Sequence, residues 1–220
     1  MSFFDKNLIL LEQHDPALAS RVKSHGFPDN IMVNFSRDGL PIPQVAGISL
    51  HSQYYPIKEA EQISRNFKVC DDSRTVVFGL GFGYHILPLL KLSEVTVIEP
   101  LMSVFRAFME NIDLAPFYPG IRFRIAEKPA TLLARLEPSK WNIFKHTPSI
   151  RIGESYYQKL EKGISVRNFI SSKSLRILVV KPIYGGSLPT ANHCFDALKN
   201  LGHEVESVDC DKFSEGFFSL

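Results

Sequence analysis

One stretch limits what this chain can fold into: TVVFGLGFGYHILPLLKLSEVTVIEP, residues 75–100. A β-branched apolar run with no polar alternation gives way to Gly79-Leu80-Gly81-Phe82-Gly83. A short helical segment follows, then a second apolar run ending on Glu99, 20 positions after Gly79. Strand, glycine turn, helix, strand and acid make half of a nucleotide-binding βαβ unit. Glycine lets the backbone turn sharply and approach a ligand closely. The helix N-terminus offers free N–H groups and the positive end of a dipole. A carboxylate at the tip of the next strand accepts hydrogen bonds from both ribose hydroxyls. The segment points to a nucleotide-like ligand held by Gly79, Gly81, Gly83 and Glu99, and leaves open what is done with it.

The alternation continues downstream. Strands are predicted at about 75–79, 95–99, 121–125 and 141–145, with helices at 84–91, 101–112 and 129–136. That spacing implies an α/β protein with a mostly parallel, doubly wound sheet. Upstream, residues 3–25 carry a helical stripe of Phe4, Leu8, Leu11, Leu18 and Val22, interrupted at Asp15-Pro16. Two β-like runs within 31–50 flank the turn signal Arg37-Asp38-Gly39. Pro56 opens a helix to about Phe67, with Ile57, Ala60, Ile63, Ser64 and Phe67 expected on its buried face.

A helix is predicted over 154–170 and a linker over 171–174, after which the pattern restarts. A buried strand at 176–181, a loop with Gly185, Gly186 and Ser187, a helix at 188–201 closed by Gly202, and a strand at 204–208 before Asp209 form a second βαβ unit. The expected division is an α+β lead-in at 1–70, a nucleotide- or adenosyl-binding domain at 71–172, and a second unit at 173–220. A βαβ unit this small cannot bury both faces of its strands alone. Either it extends the first sheet or it opens a second α/β domain whose C-terminal remainder is missing. The renewed glycine loop favours the latter, and the chain reads as the N-terminal part of a larger protein, which the family resemblances below imply to be bacterial.

Charge narrows the partners. With 25 Lys+Arg against 23 Asp+Glu, the net charge of +2 gives no footprint for nucleic acid or an anionic membrane. No apolar run reaches the roughly 18 residues of a membrane span, and the N-terminus lacks a basic region before its apolar run. Cys70, Cys194 and Cys210 are odd in number and far apart, with neither metal spacing nor a disulfide framework, which suits a reducing, cytoplasmic compartment.

The spacing G-x-G-x-G resembles the first motif of S-adenosylmethionine-dependent methyltransferases, whose strand-end acid binds the ribose hydroxyls. Glu99 also argues against a nucleotide bearing a 2′-phosphate, because the charges repel. After the third strand, Glu127 is placed either to contact an adenine amino group or simply to start a helix. The fourth strand ends in Phe144-Lys145-His146-Thr147-Pro148-Ser149, without the Asp/Asn-Pro-Pro-aromatic run of amino-group methyltransferases. No catalytic residue is assigned. A further polar group, His51, Ser52, Tyr54 and Lys58, gathers where a connector enters the helix at Pro56. It contacts a substrate or merely caps that helix; no Ser-His-acid order or metal spacing accompanies it.

HSQYYPIKEAEQI, VVFGLGFGYHI and VTVIEP together resemble the central α/β domain of the motility accessory factor family, and the related domain of unknown function shared with archaeal pterin diphosphokinases. HTPSIRIGESYYQKL, residues 146–160, extends the resemblance, which covers about 30–170. Tyr55 stands where those families carry an aspartate. The resemblance implies a Rossmann-like domain tied to the transfer of sugars onto a protein acceptor. The segment LRILVVKPIYGGSLPTANHCFDALKNLGHEVESVD resembles the opening of a spore-maturation-type glycosyltransferase with two Rossmann domains. That likeness implies that Gly185, Gly186 and Ser187 contact a substrate phosphate or sugar.

The leading expectation is therefore a glycosyltransferase-associated protein whose first domain binds a nucleotide or adenosyl ligand, S-adenosylmethionine or a sugar nucleotide. One rival is a working methyltransferase, which requires the last βαβ unit to continue the first sheet. The other is a non-catalytic scaffold. Exposed aromatics, for instance Phe82, Tyr84 or the Phe217-Phe218 pair, would favour the scaffold, as would a pocket at the strand C-terminal edge filled by Phe82, Tyr84 and His85.

Overall fold

The structure, a computed structural model, describes residues 2–26, 31–70, 73–181 and 190–210. Two helices lead: α1 (Phe3–His14) and α2 (Pro16–Ser24). The first begins with a capping box, in which Ser2 Oγ accepts the Asp5 N–H at 3.1 Å and Asp5 Oδ2 accepts the Ser2 N–H at 3.2 Å. Asp15 ends one helix and caps the next, accepting the Leu18 N–H at 2.9 Å, and Pro16 fits the first turn. A three-stranded antiparallel sheet follows, β1 (Ile31–Phe35), β2 (Pro41–Val45) and β3 (Ile48–Ser49). Its first turn is the expected one at Arg37-Asp38-Gly39, with Gly39 at φ +79°.

The helix α3 (Pro56–Ser64) buries Pro56, Ala60 and Ser64. Ile57 and Ile63, expected on that face, are instead 48% and 42% exposed. The helix docks on its i, i+4, i+8 stripe, so the residues one position away along the chain turn outward.

The central layer is parallel: β4 (Arg74–Phe78), β5 (Val95–Glu99), β6 (Ile121–Ile125) and β7 (Trp141–Lys145), in the order β6-β5-β4-β7. The intervening helices are α4 (Ile86–Leu90), α5 (Met102–Asn111) and α6 (Pro129–Arg135); α7 (Thr147–Ile152) and α8 (Glu154–Ser172) follow the last strand. Alternate residues of each strand feed two cores. Val77, Val97, Phe123 and Phe144 pack with α1, α2, α4 and α5, while Val76, Phe78 and Ile98 pack with Leu132 of α6 and Tyr157, Leu160 and Ile164 of α8. Helices on both faces of a parallel sheet make this a doubly wound, Rossmann-like fold.

The lead-in belongs to the same core. Buried Asn7 of α1 donates to the carbonyls of Met109 and Ile112, at 2.9 and 2.7 Å, and accepts the Leu114 N–H at 2.9 Å.

The chain divides into two compact units between Ile164 and Ser165, within α8; the predicted linker at 171–174 begins inside that helix. The second unit holds β8 (Arg176–Lys181), α9 (Thr190–Asn200) and β9 (Glu204–Asp209), the two strands parallel. Among the described residues these strands pair only with each other. The strand at 176–181, expected to be buried, leaves Leu178 and Val180 57% and 58% exposed. Gly202, at φ +84°, follows α9 as expected.

Candidate functional site

In an open α/β sheet, ligands bind beyond the C-terminal strand ends, where the strand order reverses. Here that point lies between β4 and β7: chain order runs outward from β4 through β5 and β6, then returns to β7 on the other side. Two segments leave there, the glycine loop after Phe78 and His146-Thr147 after Lys145. A third, around His51, reaches in from the connector before α3: the His51 Nε2 accepts the Phe82 N–H at 2.8 Å.

The loop has the backbone of a phosphate or ribose cradle. Gly79, Gly81 and Gly83 all adopt positive φ, at 99°, 51° and 75°. Its surroundings are the chain's own side chains. A Cβ on Gly79 would collide with the Ser149 side chain. One on Gly81 would lie 2.5 Å from His51 Nε2. Beside Gly83 stands the Phe117 ring. Leu80, Phe82 and His85 are 0% exposed and Tyr84 is 7% exposed.

Glu99 sits at the predicted strand tip and is 3% exposed. One carboxylate oxygen accepts the Leu80 N–H and the other the Leu101 N–H, both at 3.0 Å. Burial pushes its carboxyl up to about 7, outweighing the two backbone bonds that favour the charged form. The carboxylate ties the glycine loop to the start of α5.

Three buried histidines fill the crevice: His51, His85 and His146. The sequence offers His51 as a substrate contact and His85 as an occluding side chain; His146, in the run that ends the fourth strand, carries no predicted role. The rings of His85 and His146 stack at 4.0 Å with 5° between planes, and the His51 ring lies 5.0 Å from that of His146. The His85 Nε2 donates to the Gly79 carbonyl at 3.0 Å, which leaves its buried Nδ1 without a partner. The His146 Nδ1 meets Ser149 Oγ at 2.7 Å. Burial holds all three rings neutral, His85 down to about 4 and the others well below the usual 6.5, with neighbouring imidazoles adding to the effect on His51 and His146.

One nitrogen of each ring lies within 4.8 Å of the others, close enough to suggest a metal centre. The stacking works against it. An imidazole directs its lone pair in the ring plane, and two parallel rings 4.0 Å apart have no common in-plane point. Ligation of one ion would require the pair to unstack.

The remaining candidates are dispersed. Ser52 is engaged at the N-terminus of α3: its N–H donates to Glu59 at 2.8 Å, and its hydroxyl accepts from the backbone of Tyr54 and Tyr55. Tyr54 is 63% exposed, and Lys58 lies over the Tyr55 ring. Glu127 forms ion pairs with Arg124 at 3.6 Å and Arg135 at 4.0 Å. Gly185, Gly186, Ser187 and the Phe217-Phe218 pair lie outside the described residues.

No protein-family model matches the sequence, and no curated protein matches it significantly. Among solved structures, the chain is similar to a MAf glycosyltransferase from Magnetospirillum magneticum AMB-1, at 14% identity and a TM-score of 0.52. The match covers 94% of this chain and 46% of that one, so the chain spans less than half the length of this neighbour. At that identity the likeness is one of fold: the chain shares the Rossmann-like architecture of this protein.

Proposed function

We propose that this chain is a Rossmann-like region of a glycosyltransferase-associated protein, and that its domain is a non-catalytic scaffold rather than a nucleotide-binding site. The link to glycosylation rests on the shared fold with a MAf glycosyltransferase and on the motility-accessory-factor-like segments around His51, the glycine loop and residues 146–160. One observation carries the scaffold reading. Ser149 and His51 stand close against Gly79 and Gly81, where a Cβ would collide with them, and both oxygens of Glu99 bind the chain's own backbone. Phe82, Tyr84 and His85 are buried, Phe82 and Tyr84 within the core that α1, α2, α4 and α5 close.

Calorimetric titration with S-adenosylhomocysteine tests this. The scaffold reading expects no saturable heat. Micromolar binding that is lost in Glu99→Ala would overturn it.

A second reading keeps the loop as an adenosyl or nucleotide site, favoured by three positive-φ glycines at a switch point. It requires His51 to leave Phe82, and the same titration separates the two.

A further inference from the structure

A cavity of about 510 Å³ opens at the outer edge of the parallel sheet, beside the C-terminal end of β6. Its charged lining is Arg21 from α2, Arg124 from β6, Lys128 and Arg135 at the two ends of α6, and the carboxylates of Asp15 and Glu127. Neither the glycine loop nor the three histidines contribute to it.

The strand sequence Ile121-Arg122-Phe123-Arg124-Ile125 explains the chemistry. Ile121, Phe123 and Ile125 point into the core that α1, α2, α4 and α5 close. Alternation sends Arg122 and Arg124 to the opposite face, where the inner strands carry apolar residues such as Ile98. Among the described residues, no further strand pairs with the outer edge of β6. Arg21 donates to the Ile125 carbonyl at 2.7 Å.

The cationic groups are poorly satisfied. Asp15 is engaged as the cap of α2. Glu127 stands between Arg124 and Arg135 at 3.6 and 4.0 Å, beyond hydrogen-bond length. Among the described residues, neither of these arginines donates a hydrogen bond, and the Arg124 Nε is buried without a partner. A guanidinium presents five donors in a planar fork that matches phosphate oxygens. Here three such forks and one ammonium face two carboxylates. A dianion would balance that surplus, whereas a monocarboxylate would leave it half met.

We propose that this cavity binds a phosphate-bearing small molecule, with Arg21, Arg124 and Arg135 holding the phosphate and Lys128 adding charge at the rim. The site is independent of the glycine loop and stands whether or not that loop takes a ligand.

The test is calorimetric titration of the full chain with inorganic phosphate and with pyrophosphate at low ionic strength. Saturable binding is expected, tighter for pyrophosphate. Arg135 and Lys128 are exposed, so the double variant Arg135→Gln/Lys128→Gln should fold normally and bind pyrophosphate at least about tenfold more weakly. Lys162→Gln removes one charge from an exposed position on α8 and should leave binding unchanged. No saturable binding of either anion, undiminished binding in the double variant, or an equal loss in Lys162→Gln would each overturn the proposal.

Discussion

The buried histidines give the molecule a defined response to acid. The folded cluster stays neutral well below the usual 6.5, while an unfolded chain takes up protons there. Their contribution to stability is therefore full above pH 6.5 and is lost as the pH falls toward 4. Glu99 runs the other way. Its carboxyl is raised from 4.5 to about 7, so it keeps a proton that the unfolded chain has released, and stability from this group falls as the pH rises across that window. Acidification from pH 7.5 to 5 removes the stability held by three neutral rings and restores that held by one protonated carboxyl, so the net effect is a loss. Urea midpoints at the two pH values check this. A midpoint that stays level or rises on acidification would show that the rings are not buried neutral together. At this scale the sequence was legible for what lies on the chain and blind to what converges. Gly79 and Glu99 announce themselves by spacing, whereas His51, His85 and His146 lie 34 and 61 residues apart and meet only because the connector, the loop and β7 end at one point.

At the scale of elements, the parallel sheet was the most readable part. Four strands and three helices fall within a residue or two of their predicted ends; the inner strands β4 and β5, buried on both faces, are near-continuous apolar runs, whereas the outer β6 alternates. Amphipathic faces were less readable. The helix at Pro56–Ser64 has apolar residues on more than one stripe, and composition alone does not say which stripe docks. Small residues Ala60 and Ser64 make the contact, and the larger Ile57 and Ile63 face solvent. Accordingly, Ile57→Lys should change stability by less than about 0.5 kcal/mol. Ala60→Leu, which forces a larger side chain into a filled site, should cost about 1–3 kcal/mol. Thermal or denaturant unfolding of the two variants checks the order. The strand Arg176–Lys181 shows the same limit: its apolar run predicts burial, yet among the described residues it pairs with a single strand, β9.

At the scale of the whole molecule, two cores on either side of one sheet close within residues up to Ile164. A fragment ending at Ser172, which keeps α8 whole, should therefore unfold in a single cooperative transition; a broad or absent transition would mean that these cores need residues beyond it. The fold is shared with a MAf glycosyltransferase, 46% of whose chain the match covers. The central claim is that the glycine loop is closed by the protein itself, and amide hydrogen exchange tests it most directly. The Leu80 N–H is bound by Glu99 and the Phe82 N–H by His51, both buried. At pH 7.5 both amides should exchange as slowly as those in the middle of β4, and the Phe82 amide should lose protection as the pH is lowered. Exchange of both at the rate of an open, solvent-accessible loop would contradict the account.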